Sequence, residues 1–174
     1  MNWKELLEDE IARTYAVAEG LIDLVDDRDL DWKPATGANW MTTGQLLHHL
    51  TDACGAPMKG FVTGDWGLPA GPDIADIPPE DMLPSAEKLP RIGSVAEAKR
   101  LLARDKAIAL DMLGQCTNNR LADQTLSAPW NPKEQPLGRH LLDMAAHLGK
   151  HASQLFYYLK LQGKPVNTGH LWGA

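Results

Sequence analysis

The stretch from Gly60 to Gly93 decides most of what this chain can become. It carries Gly or Pro at positions 60, 64, 67, 69, 71, 72, 78, 79, 84, 90 and 93. Neither a long helix nor a long strand can cross such a run. The chain on either side reads as helical. A connection of this length is uncommon in a compact domain unless it is functional or crosses from one end to the other. It is long enough to run the length of a helical bundle, so the helices before and after it are predicted to be parallel neighbours, not a hairpin pair. A short turn of helix is expected within it near residues 79–83.

Before that stretch, the pattern predicts two helices. The first covers residues 3–26, capped by Asn2 with Glu5 at the third helical position. Its stripe is Trp3, Leu7, Ile11, Thr14, Ala18, Leu21 and Val25, in alternating steps of four and three. A loop with Pro34, Gly37 and Asn39 follows. The second helix opens on the capping box Thr42-x-x-Gln45 and covers 43–59, with Pro57 kinking or limiting its last turn. After the stretch, a third helix opens on Ser94-x-x-Glu97 and runs to about 117. Residues 118–135 read as a second irregular connection. The fourth helix starts near Pro136 and stops at Gly163 and Pro165. No strand and no repeat is predicted. Residues 1–174 make one domain, an all-α four-helix bundle with long connections between helices 2 and 3 and helices 3 and 4.

Apolar residues make up 44 % of the chain and the formal net charge is −6. No basic stripe marks a nucleic-acid partner, and no apolar run approaches a membrane span. The N-terminus lacks a signal-peptide core, so a cytoplasmic location is expected. Cys54 and Cys116, each in a predicted helix, read as buried free thiols.

Chemistry concentrates in His147-Leu148-Gly149-Lys150-His151. Two histidines four apart on a helix share a face and can converge on one metal ion. The spacing is that of zincins, but Leu148 stands where they place a catalytic Glu. His140 lies about 10 Å further along the axis, too far to share the ion, and is expected at the surface or a pocket rim. A third ligand must come from another helix. Helix 2 offers His48 and His49, which differ by about 100° around the axis, so at most one points at helix 4.

The segments 34-PATGANWMTTGQLLHHLTDA-53 and 140-HLLDMAAHLGKHASQLFYYLKLQGKP-165 resemble the two signature stretches of the DinB/YfiT-like four-helix-bundle metalloproteins. The family pattern LLxHLxD maps a ligand onto His49, and its HxxxH maps onto His147 and His151. The resemblance implies an up-down-down-up bundle, a homodimer, and one divalent ion on His49, His147 and His151. Three neutral histidines plus solvent suit Zn²⁺, Ni²⁺ or Fe²⁺. Asp52 and Asp143 are placed to accept the outer N–H of these rings. Trp40, Trp130 and Tyr158 are candidates for a pocket, with His48 as a polar flank. Relatives include bacillithiol S-transferases and mycothiol-dependent maleylpyruvate isomerase. The expected function is therefore metal-dependent transfer of a low-molecular-weight thiol to a small-molecule substrate in stress or detoxification. The alternatives are a metal-dependent hydrolase and a non-catalytic module that binds a metal or small ligand.

Overall fold

The computed structural model describes residues 2–67, 77–78 and 85–173. The expected helical turn at 79–83 lies outside the described residues. The fold is mostly helical. Helix α1 spans Trp3–Ile22, α2 Thr43–Leu50, α3 Gly55–Thr63, α4 Val95–Gly114, α5 Asn118–Asp123 and α6 Leu137–Leu161. Local chemistry explains the starts. The Asn2 side chain accepts from the Glu5 N–H at 3.3 Å, and Thr42 and Gln45 form a reciprocal capping box. Ser94 accepts from the Glu97 N–H at 3.1 Å, while the Glu97 carboxylate turns back to the Gly93 N–H. Gly163 adopts φ 75° just beyond α6, a left-handed stop that costs a glycine little.

The helix directions follow from cross-helix contacts. Trp3 packs where a Cβ on Gly138 would sit, and Thr14 packs beside Gly149, so α1 and α6 run parallel. Tyr15 bonds Asp105, and Asp27 accepts from the Val95 N–H, so α1 and α4 are antiparallel. Gly44 meets Ile92, Gly55 meets Asp105 and Val62 meets Arg120; the second segment therefore runs parallel to α4, as the length of the 60–93 connection predicts. Thr43 pairs with Gln162 and Phe61 with His140, so that segment is antiparallel to α6. The apolar stripes of all four directions meet in one core, with Leu7, Ile11, Leu46, Leu50, Leu102, Leu148 and Leu155 fully buried.

The structure corrects the sequence reading in three places. The second helix is not continuous over 43–59 but stops at Leu50 and restarts at Gly55. Pro57 is the reason. In a continuous helix its ring would clash with the carbonyl of Ala53, four residues back, and it has no N–H to offer that carbonyl. In the third position of α3 its missing N–H would have lacked a helical partner anyway. Cys54, expected inside a helix, is instead the non-helical residue that precedes α3 (φ −125°, ψ −63°).

Secondly, the 118–135 connection is not irregular. It holds α5, capped by Thr117, and a two-stranded antiparallel hairpin, β1 Thr125–Ala128 and β2 Asn131–Pro136. The second strand is polar, mostly exposed and bounded by prolines, so it shows no alternation of the kind that signals a strand. Thirdly, His140 is not at the surface. It is 3 % exposed, donates from Nε2 to the Leu126 carbonyl of β1 at 2.8 Å and stacks on Phe61. It is a structural histidine that ties the hairpin to α6.

Candidate metal centre

Three side chains from two helices converge where α2 ends beside the middle of α6. The Nε2 atoms of His49, His147 and His151 form a triangle with edges of 3.0, 3.1 and 3.4 Å. His48 points away, with Nδ1 4.0 Å from Asp52. The choice between the two α2 histidines, left open by periodicity alone, thus falls on His49 in the geometry.

The outer edges of the rings decide where the protons are. His147 Nδ1 lies 3.2 Å from the Ala53 carbonyl, which can only accept, so the N–H is on Nδ1. The carbonyl is free for this bond because residue 57, its helical partner by spacing, is proline. His151 is fixed through a chain of three bonds. The Met41 carbonyl accepts from the Tyr158 hydroxyl at 3.0 Å. The Tyr158 oxygen then accepts from the Gln154 amide NH₂ at 3.4 Å. This leaves Gln154 Oε1 facing His151 Nδ1 at 3.1 Å, so that nitrogen is the donor. In both rings the lone pair of Nε2 is therefore turned into the triangle.

Converging lone pairs repel unless a cation lies between them. A tetrahedral ion about 2.0–2.1 Å from each imidazole nitrogen sets the nitrogens roughly 3.3 Å apart, and the observed edges match that spacing. The three histidines are placed to hold one divalent ion. Burial, together with the neighbouring His151 and His147 rings, pushes His49 down to about 4. Burial also lowers His147 and His151. The cluster is thus kept neutral, the form that binds metal.

Of the expected outer partners, neither carboxylate takes that place. Asp143 is engaged by Arg139 one turn away, through bonds of 3.1 and 2.9 Å, and His147 turns to a backbone carbonyl instead. Asp52 stands 3.7 Å behind His49 Nδ1, beyond hydrogen-bond reach, and half of its side chain is exposed. Burial and the Asp105 carboxylate push Asp52 up to about 7, a push that solvent on its exposed half moderates. Ala53 could not have been found from sequence, because a carbonyl has no letter. Gln154 could: it lies three residues after His151, on the same face.

The three pocket candidates separate. Trp40 and Tyr158 meet edge to face at 6.2 Å and line a cleft of about 500 Å³ with Pro34, Tyr157, Leu161 and Gln154. Gln154 belongs both to this cleft and to the histidine cluster. Trp130 packs instead on Phe61 and Trp66, beside His140, about 27 Å of helix away from Tyr158.

A model of the DinB superfamily matches residues 8–155, which contain all three histidines. The chain belongs to the DinB superfamily. No curated protein and no solved structure matches it. Within this DinB-superfamily chain no helix, among the described residues, is long and apolar enough to cross a membrane. The thiols Cys54 and Cys116 are both buried and free, and burial pushes the Cys54 thiol up to about 12. Neither is a ready nucleophile.

The depressed ring of His49 sets a pH dependence in the metal-free protein. Above about 6.5 both folded and unfolded rings are neutral. As pH falls from about 6.5 to about 4, the unfolded ring takes a proton that the folded ring refuses, so stability falls over that window. Asp52, raised to about 7, acts in the opposite sense across the whole of it. The isolating measurement is the urea midpoint of the protein minus that of His49→Leu, followed with pH; the difference is expected to shrink as pH drops. A difference that stays level from neutral pH to about 4 would contradict the neutral cluster.

Proposed function

We propose that the chain is a divalent-metal-dependent enzyme that transfers a low-molecular-weight thiol to an electrophilic small molecule. In this reading α2 and α3 act as one interrupted helix of a four-helix bundle in up-down-down-up order, which the helix directions above support. His49, His147 and His151 would hold the ion. The observation that carries the proposal is the triangle of Nε2 atoms, with the lone pairs of His147 and His151 turned into it.

A divalent ion bound there supplies a Lewis acid that favours thiolate over thiol at neutral pH. The protein's own part is positional. Ala53 and Gln154 hold two of the rings with their lone pairs inward, and the Trp40–Tyr158 cleft beside Gln154 receives the apolar body of the electrophile. With a haloaromatic substrate, sulfur bonds to the ring carbon as the carbon–halogen bond breaks. The halide keeps the electron pair and the thiol proton passes to solvent.

Transfer is favoured over hydrolysis by what surrounds the triangle. Hydrolysis needs a base within reach of a metal-bound water. Leu148 is fully buried in the core, and the Asp52 carboxylate stands behind His49, on the side away from the triangle. The test is a panel of low-molecular-weight thiols with a chlorinated aromatic reporter, run on metal-loaded protein beside ester, amide and lactone substrates. Conjugation that requires both metal and the parent histidines is expected. Turnover of the esters or lactones without thiol would turn the reading to hydrolase, and no turnover of any kind would leave a metal-binding module.

A further inference from the structure

We infer that Asp105, a residue that touches none of the histidines, is a positioning residue for the metal centre, acting through the break between α2 and α3. The inference rests on the metal reading above.

Asp105 lies on α4 and is 3 % exposed. Its carboxylate accepts three bonds: from the Tyr15 hydroxyl at 2.6 Å, the Gly55 N–H at 2.9 Å and the Ala56 N–H at 2.9 Å. The last two are first-turn donors of α3, which a helix normally satisfies with its own capping side chain. Cys54, the residue in the capping position, makes no such bond. The cap is therefore supplied from another helix. Buried carboxylates are rare unless fully partnered, and this one is partnered entirely by α1 and the start of α3.

The consequence lies two residues upstream. Gly55 and Ala56 are fixed by Asp105, and Ala53 is the residue whose carbonyl orients His147. Its helical partner is absent because of Pro57, so the carbonyl direction depends on how the 51–54 segment enters α3. Asp105 sets that entry. From α4 it thus reaches the tautomer of a ring on α6, by way of the backbone between α2 and α3. His151 is oriented by Gln154 and Tyr158 and is independent of this path.

That independence supplies the test. Asp105→Asn places an NH₂ against at least one of the three donors, with little change of shape. Ring ¹H–¹⁵N spectra of the metal-free protein, at a pH where the rings are neutral, report each histidine's tautomer. His147 is expected to lose its Nδ1–H preference while His151 keeps its own. Cobalt affinity, read from the visible spectrum, is expected to fall about ten-fold, the low end of the loss on removing an outer partner. A purely structural cap would lower the melting temperature and leave the His147 tautomer and cobalt affinity unchanged; that result overturns the inference. Should Asp105→Asn fail to fold, Tyr15→Phe removes one of the three donors and carries the same comparison. A shift confined to His147 then supports the inference, and its absence overturns it. If the parent protein takes up no cobalt, the metal reading fails, and the ring spectra still decide the role of Asp105.

Discussion

His147→Ala is expected to lower the affinity for Zn²⁺ or Co²⁺ by more than about 100-fold, beyond the 10–100-fold cost of removing an outer partner. The substitution removes one of three inward nitrogens, and two imidazoles spanning 3.1 Å remain. The fold should survive, because the ring is only partly buried and its outer bond is a single one to the Ala53 carbonyl. A competition titration against a chromophoric chelator measures the loss, and circular dichroism confirms the helices. Asp143→Ala is the control. Its carboxylate is held by Arg139, so metal affinity should not move. Affinity at the parental level in His147→Ala would remove the metal assignment, and a triple His49, His147, His151→Ala variant should hold none.

The second large effect is on stability. A Cβ added to Gly55 would fall 2.0 Å from the Asp105 carbonyl oxygen and 2.7 Å from its carboxylate. Both obstacles belong to one buried residue, and the first is backbone, so no rotamer change relieves the clash. Gly55→Ala must push α3 away from α4 and stretch the two N–H bonds to Asp105. Overpacking costs about 1–3 kcal/mol, and a buried carboxylate left short of donors adds about 1–3 kcal/mol more. A total near 3–4 kcal/mol lowers the melting temperature of a chain this size by roughly 10 °C. Thermal melts of the two proteins measure it. Gly20→Ala, where an added Cβ meets nothing within 4 Å, should leave stability unchanged or slightly raised. A Gly55→Ala protein that melts with the parent would mean that α3 and α4 do not approach as described.

What could be read in advance divides along a physical line. Helix starts are local chemistry: Asn2, Thr42 and Ser94 bond backbone N–H groups three residues on, and a sequence shows that interval. The pair His147 and His151 is equally local. Pro57 was legible as a place where a helix cannot continue, but not as the third residue of a new one, because the deciding contact, Gly55 on Asp105, lies 50 residues away. The hairpin was missed because Asn131–Pro136 has no buried face to leave a pattern. Asp143 stands at a helical spacing from His147, yet Arg139 at the equivalent spacing on its other side competes for it and wins with two bonds. Asp105 had left a trace. Ala98, Leu102, Asp105, Ala109 and Met112 are all buried and step by four and three, so a charge sits in a register otherwise apolar. Such a residue asks for partners, and here they exist.

The histidine triangle also says something about the order in which the chain is completed. His49 is 98 residues from His147 and 102 from His151. An ion shared among them is a clasp between the first third of the chain and its last helix. Closing so long a loop costs only about 0.6 kcal/mol more for each doubling of its length, so the Gly- and Pro-rich connection could lengthen with little penalty to the clasp. A chain still being synthesised, by contrast, cannot fasten it until α6 has emerged and docked. The centre cannot form before α6 does, and an ion held there would report that the first third of the chain has docked on that helix.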